Sequence, residues 1–185
     1  MKYCSSCGSD AMVFEIPAHD TKERYICKKC NTIYYTNPKI VVGCIIQCHE
    51  QILLCERNIE PRKGFLTYPA GFMENYETLQ EACIRETREE AGVNIQNPRL
   101  FALYNLPTSN QIFVVYHHYV SDTKTEEYCD ETASLSWVNL NEIPFNQLAF
   151  PIIVETLKSL IEGKKTPIQG TISRKGNTYQ HWIID

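Results

Sequence analysis

The sequence lacks a long apolar run, a strong excess of either charge, an internal repeat and any low-complexity segment. Its longest apolar stretch, residues 40–46, is far too short to cross a bilayer and reads as a buried strand. Residues 1–7 have no apolar core, so no secretory signal is expected. A net charge of −4 supplies no long-range attraction toward nucleic acid or an anionic membrane. Any polyanionic ligand must then be met locally, by bound metal ions or by individually placed Arg and Lys. What remains is the composition of a soluble globular chain, 43% hydrophobic and 22% charged, with 185 residues suiting one ordinary domain plus a small module.

Cysteine is well represented. There are nine, an odd number, and four of them form two CxxC pairs, Cys4–Cys7 and Cys27–Cys30, with nineteen residues between the pairs. Without a secretory signal this pattern favours a metal site in a reducing compartment, the cytoplasm, over a disulfide scaffold. Each CxxC turns two sulfurs toward one point, and two such knuckles close a tetrahedral shell with no open position for water. The residues thus predict one structural Zn²⁺ held by Cys4, Cys7, Cys27 and Cys30. A redox dithiol is the competing reading, but it needs a CxxC at the start of a helix, which neither pair has. A 36-residue module buries too little to fold alone, and metal binding on the order of 10–16 kcal/mol can supply the difference. The other five cysteines, at 44, 48, 55, 83 and 129, read as small buried thiols.

The chain divides into three parts on this reading: a β-rich ribbon over 1–36, a main domain over 37–163, and a tail over 164–185 to which no role is assigned. Thr36-Asn37-Pro38 is the connector, since Asn-Pro favours a turn. Residues 40–48 and 52–55 predict a β-hairpin around His49-Glu50, and 78–91 a helix stopped by Gly92. Residues 99–106, 111–120 and 135–138 predict further strands, and a helix follows from 148 or 151 to 161. The 121–133 segment reads as an acidic loop, and the tail as polar and β-leaning.

Within the predicted helix, Glu86, Glu89 and Glu90 stand at i, i+3 and i+4 and share a face. Like charges at that spacing weaken a helix, and Mg²⁺ or Mn²⁺ reverses that effect by ligating carboxylate oxygen. A solvated acidic face is the alternative. Against it, Pro69-Ala70-Gly71 precedes the helix and is placed to offer a backbone carbonyl, and Glu77 and Arg85 lie where they could pair and orient the acids.

The segment Gly71-Phe-Met-Glu-Asn-Tyr-Glu77-Thr-Leu-Gln-Glu-Ala-Cys-Ile-Arg85-Glu86-Thr87-Arg-Glu89-Glu90-Ala-Gly92-Val93 resembles the Nudix box, Gly-x5-Glu-x7-Arg-Glu-U-x-Glu-Glu-x-Gly-U with U aliphatic. Every fixed position matches, and Thr87 at the first U is the one departure. With the paired cysteines, Asn37-Pro38-Lys39, Leu54-Cys55-Glu56-Arg57, Pro69-Ala70-Gly71-Phe72 and Glu142-Ile143-Pro144-Phe145, the likeness extends over roughly residues 1–163. It points to the zinc-ribbon Nudix group, which includes FAD and ADP-ribose pyrophosphatases.

The resemblance implies an α+β fold, a Nudix α/β/α sandwich around a mixed β-sheet preceded by the small β-rich zinc ribbon. It implies that Glu86, Glu89 and Glu90, with the Ala70 carbonyl, hold catalytic Mg²⁺ or Mn²⁺, and that Glu77 and Arg85 support them. Among acids beyond the box, Glu131 is the best match for a further catalytic carboxylate, with Glu126, Glu127 and Asp130 as rivals. The implied reaction is metal-dependent hydrolysis of the diphosphate bond of a nucleoside diphosphate derivative, ADP-ribose or FAD, to two monophosphates. NADH or NAD-capped RNA is the alternative substrate. That branch carries a Ser-Gln-Pro-Trp-type motif after the box, whereas this chain reads Tyr104-Asn105-Leu106-Pro107-Thr108-Ser109-Asn110-Gln111, without Trp. Phe65, Tyr68, Phe72 and Tyr104 are candidates to stack on a base.

A non-catalytic binding module for nucleic acid or protein is the reading from a different class. Lys28, Lys29 and Lys39 give only a weak basic feature, and with the acidic balance this argues against nucleic acid. His117 and His118 project to opposite faces if they lie on a strand, so they do not form a metal pair. A homodimer is left open.

Overall fold

The computed structural model describes residues 1–126, 128–164, 167–175 and 178–184, those beyond residue 173 by their backbone alone. The chain forms two compact units, Met1–Asn37 and Pro38–Asp185.

The first unit is a three-stranded antiparallel sheet of β1 (Met12–Glu15), β2 (Arg24–Cys27) and β3 (Ile33–Tyr34), in the order β1-β2-β3. Its two CxxC turns have the same construction. In each, the residue after the second cysteine takes a left-handed conformation, Gly8 at φ 72° and Asn31 at φ 60°. Its N–H returns to the first cysteine's carbonyl, at 2.9 Å to Cys4 and 2.8 Å to Cys27. Glycine and asparagine are the residues that tolerate this conformation, which is why they stand there.

The second unit is built on a nine-stranded mixed sheet. Its strands are β4 (Lys39–Cys48), β5 (Gln51–Arg57), β6 (Leu66–Thr67), β7 (Ala70–Phe72), β8 (Arg99–Leu106), β9 (Gln111–Tyr119), β10 (Thr132–Asn139), β11 (Ile168–Lys175) and β12 (Thr178–Ile184). The main order is β10-β5-β4-β9-β8-β11-β12, with β6 on β5 and β7 on β4. β4 runs parallel to β9 and β11 parallel to β8, and the remaining pairs are antiparallel. Helices α1 (Leu79–Ala91) and α2 (Pro151–Ile161) complete the unit.

The strand alternation separates two cores. Val42, Cys44 and Ile46 of β4 pack with Leu53, Val114 and Tyr116 and with Ala82 and Cys83 of α1. Val41 and Ile45, on the other face, pack with Leu54, Phe113 and Val115 and with Ile153 and Leu157 of α2. The sheet thus carries a helix on each face, the expected sandwich. Central strands covered on both sides must be apolar throughout, which accounts for the unbroken run at 40–46. Tyr68 and Tyr104 are buried in the α2-side core, at 0% and 1% exposure, so neither is available for stacking on a ligand. The segment 164–185 contains strands β11 and β12, and β11 extends the sheet from β8 with Ile168 opposite Ala102 and Thr171 opposite Asn105.

Candidate active site and metal centres

In the ribbon the four predicted cysteines come together. Their sulfurs all lie within 4.8 Å of one another, with 3.6 Å between Cys4 and Cys30 and between Cys7 and Cys27. Four sulfurs about 2.3 Å from one tetrahedral ion stand about 3.8 Å apart, so the spacing fits a Zn²⁺-sized centre. No disulfide forms, and the Tyr34 hydroxyl lies 3.0 Å from the Cys4 sulfur. That hydroxyl is the main influence holding the Cys4 thiol down to about 6, toward the thiolate that a metal requires. The sequence reading missed Tyr34, because nothing in a Tyr-Tyr pair marks it as a neighbour of sulfur.

In the main unit the acidic residues are positioned by α1. Thr78 caps the helix in a reciprocal box: its hydroxyl accepts from the Glu81 N–H at 3.2 Å, and Glu81 Oε2 accepts from the Thr78 N–H at 2.7 Å. Gly92 ends the helix at φ 61° and donates to the Arg88 carbonyl at 3.0 Å. A Cβ at Gly92 would stand 2.4 Å from the Glu126 carbonyl oxygen, so chain direction and close approach both require glycine there. Gly71 has the more direct role. A Cβ built on it would lie 2.3 Å from the Glu86 carboxyl, and the space a side chain would take holds that carboxylate. Thr87, the departure from the box, is fully buried on the helix.

Arg85 organises the acids. Its Nε and Nη2 donate to the two oxygens of Glu77 at 3.0 and 2.8 Å, a bidentate pair. Nη1 reaches Glu86 at 2.6 Å and Glu89 at 3.1 Å, and Nη2 also reaches the Phe72 carbonyl at 3.0 Å. The guanidinium holds the Glu77 carboxyl below its usual range. Glu86 and Glu90 are each 8% exposed. Burial raises both: Glu86 above its usual value although Arg85 opposes the shift, and Glu90 to about 7 although the Ala70 N–H donates to it at 2.7 Å. The expected Glu77–Arg85 pairing and the shared face of Glu86 and Glu90 are both present. Glu89 differs, since its side chain is 53% exposed and turned to Arg85. The Ala70 segment meets the acids through its N–H, which the sequence reading did not anticipate.

Glu131 is brought to the same place by backbone clamps. Asn58 donates through its N–H to the Glu131 carbonyl and through its side chain to the Asp130 carbonyl, both at 2.8 Å. The Cys129 N–H reaches the Glu89 carbonyl at 2.7 Å, and the Thr132 hydroxyl the Glu90 carbonyl at 2.8 Å. Segment 129–132 is therefore tied to the end of α1. The negative charge of Glu131 adds to the upward shift of both Glu86 and Glu90. Of the rivals, Glu126 is engaged with Asn94, Asp130 does not line the cleft described next, and Glu127 lies outside the described residues.

These groups face a cleft of about 830 Å³. Glu60, Glu74, Glu86, Glu89, Glu90 and Glu131 line it, and Arg57 is the one Lys or Arg among the described lining residues. Arg57 is braced, with its guanidinium 5.2 Å from the Phe150 ring and donating to the Pro61 carbonyl at 3.0 Å. Six carboxylates against one guanidinium repel any phosphorylated ligand unless hard cations enter with it. Of the two buried acids Glu86 is already paired with Arg85, whereas Glu90 meets only the Ala70 N–H, and burial opposes its ionisation until a cation pairs with it. This donor set fits a divalent metal ion of the oxygen-seeking class. Phe72, 46% exposed, lines the cleft wall with the Lys39 ammonium 4.9 Å from its ring, whereas Phe65 lies outside it beneath Arg62. His117 turns to Gln47, 2.8 Å away, and shares no site with His118. No helix among the described residues is long and apolar enough to cross a membrane.

Comparison with known proteins agrees with this geometry. The family described as NUDIX domain matches residues 37–157, and the one described as Nudix N-terminal, a zinc ribbon, matches residues 2–36. The chain is similar to the NAD-capped RNA hydrolase NudC of Photorhabdus laumondii, 29% identical over 84% of this chain and 60% of that protein. It spans about 60% of the length of the first curated relatives it matches. Among solved structures, a NUDIX hydrolase from Nitrosomonas europaea is 38% identical, covering 94% of this chain and 100% of that one with a TM-score of 0.86. The NUDIX domain of Shewanella oneidensis NrtR shares the fold at 16% identity, 70% and 90% coverage and a TM-score of 0.63. By its box, its sandwich and its ribbon, the chain belongs to the Nudix hydrolase family.

Proposed function

We propose that this protein hydrolyses the diphosphate bond of a nucleoside diphosphate derivative, ADP-ribose or FAD, to two monophosphates, using Mg²⁺ or Mn²⁺ in the cleft and Zn²⁺ in the ribbon. The carrying observation is the charge of the cleft, six carboxylates around one guanidinium, two of them buried. Glu86, Glu89 and Glu90, with the Ala70 carbonyl, are the groups that would hold the divalent ion. When bound there, it neutralises diphosphate charge, polarises the phosphorus–oxygen bond and lowers the pKa of a bound water.

The chain's own residues then divide the work. Arg85 holds Glu86 and Glu89 in place while Glu77 holds Arg85. Arg57 is the cation that meets the incoming anion. Glu131, held by Asn58 and exposed at the cleft, accepts the proton of the attacking water. A single guanidinium favours a ligand whose charge is limited to its diphosphate. Nine free thiols suit the reducing cytoplasm.

NADH and NAD-capped RNA form a second reading, favoured by the 29% identity with NAD-capped RNA hydrolases. The turn at 107–109 carries no Trp here, which favours the first. The deciding test is a panel of ADP-ribose, FAD, NADH and NAD-capped RNA with Mg²⁺ and Mn²⁺, with products identified by mass. Preference for ADP-ribose or FAD supports the first reading, and preference for NADH or capped RNA replaces it with the second. No metal-dependent turnover of any of them defeats both.

A further inference from the structure

Strand β11 has no counterpart in the residues that the NUDIX domain family matches, which stop at 157. It nevertheless reaches the cleft, which is lined in part by Ile172. The pairing explains how. Thr171 stands opposite Asn105 on parallel β8, so the next position falls beside Leu106, where β8 passes into the turn Pro107–Ser109. Leu106, Thr108 and Ser109 line the cleft there, as do Gln111 and Phe113 from the adjoining strand β9. Every one of these side chains is uncharged.

The sheet order sets this wall apart from the charged part of the cleft. From Arg57 on β5 the order runs through β4, β9 and β8 to β11. Four strand spacings amount to about 19 Å across the sheet. β7, which carries Ala70 and Gly71 to the acids, is paired to the edge of β4 away from β9, so it too lies four spacings, about 19 Å, from β11. Ile172 itself is 5% exposed, backed by the α2-side core, so it presents a fixed apolar surface.

We propose that β11 is a specificity wall of this cleft, and that Ile172 is the specificity-determining contact for the flat, uncharged ring of the substrate. Leu106 and Phe113 complete the apolar surface, and Ser109 and Gln111 supply hydrogen-bonding groups at its rim. Among the described residues that line this wall a phosphate meets no cation, whereas a heterocyclic ring finds both an apolar face and polar edges. The inference rests on the reading of the cleft as a site for nucleoside diphosphate derivatives.

The test compares the parent with Ile172→Ala, Ile172→Val and Ile168→Ala. Ile168 lies on the same strand, is 3% exposed and packs in the same core, but does not line the cleft. Calorimetry with the methylene-bridged analogue of ADP-ribose and Mg²⁺ reads the Kd, and hydrolysis of ADP-ribose is followed in parallel. The wall predicts that Ile172→Ala raises Kd and KM on the order of tenfold and leaves kcat within about twofold. Ile172→Val, the milder change, raises them about threefold, and Ile168→Ala leaves both within about twofold. Equal effects of the two alanine variants, or unchanged Kd in both Ile172 variants, overturn the proposal. A parent that binds the analogue but hydrolyses nothing defeats the functional reading, and the Ile172 pattern in Kd still supports the wall. A parent that does not bind the analogue overturns both.

Discussion

Replacing Glu90 by glutamine should make the metal-free protein more stable, by an amount that grows as pH rises from 4.5 to about 7 and is full above it. The carboxyl is 8% exposed, and burial lifts its pKa from the ordinary 4.5 to about 7. A carboxyl whose pKa is raised on folding favours the folded state while protonated. Its contribution is fully present below pH 4.5 and is lost as pH rises through about 7. A rise from 4.5 to about 7 corresponds to a penalty on the order of 3 kcal/mol above pH 7. Glutamine keeps the shape and an oxygen for the Ala70 N–H, but stays neutral at every pH. With EDTA at pH 8, Glu90→Gln should therefore gain stability on the order of 3 kcal/mol in urea unfolding, and at pH 4.5 the two proteins should coincide. Millimolar Mg²⁺ should stabilise the parent at pH 8 more than the variant, since ion binding is linked to the charged carboxylate. A variant no more stable than the parent in EDTA at pH 8, or an equal gain at pH 4.5, would refute the assignment of Glu90 as a buried charge awaiting a cation.

Gly71→Ala should displace the Glu86 carboxyl, because the new Cβ would stand 2.3 Å from it. Turnover should fall at least about tenfold with loss of metal affinity, and normal activity with normal Mg²⁺ dependence would contradict the tight fit of glycine and carboxylate. Purified protein should hold about one zinc per chain, and Cys4→Ser with Cys27→Ser should lose the metal and unfold the ribbon; elemental analysis without zinc, or a ribbon folded in the double variant, would remove the centre. RNA lacking a cap should not bind appreciably at physiological salt, since the chain is acidic and one guanidinium lines the cleft; submicromolar binding in a filter assay would contradict that.

Much of this architecture was legible because its determinants are local. The 40–46 run announced a buried strand, and a helix expected over 78–91 with Gly92 as its stop is found at Leu79–Ala91. The i, i+3, i+4 spacing placed Glu86 and Glu90 in the cleft together. What sequence spacing could not show is long-range. The pairing of Ile168 with Ala102 joins residues sixty-six positions apart, and β11 itself is a mixed polar strand without a strong alternating pattern. Glu60 and Glu74 enter the cleft from loops, where no period marks orientation. Tyr68 and Tyr104 were candidate ring platforms by residue type alone, and packing under α2 removed them. Glu89, grouped with its neighbours by spacing, lines the same cleft, with its side chain more exposed and bonded to Arg85.

In this reading the buried box acids carry metal-dependent diphosphate hydrolysis. Its most direct test is kcat on whichever of ADP-ribose or FAD the parent turns over with Mg²⁺, measured for Glu90→Gln and Glu81→Gln side by side. Glu81 lies on the same helix but serves the cap, where glutamine also functions. Glu90→Gln should lose at least about a hundredfold and Glu81→Gln should stay within about twofold of the parent. Equal activity of the two folded variants would remove the box acids from the reaction.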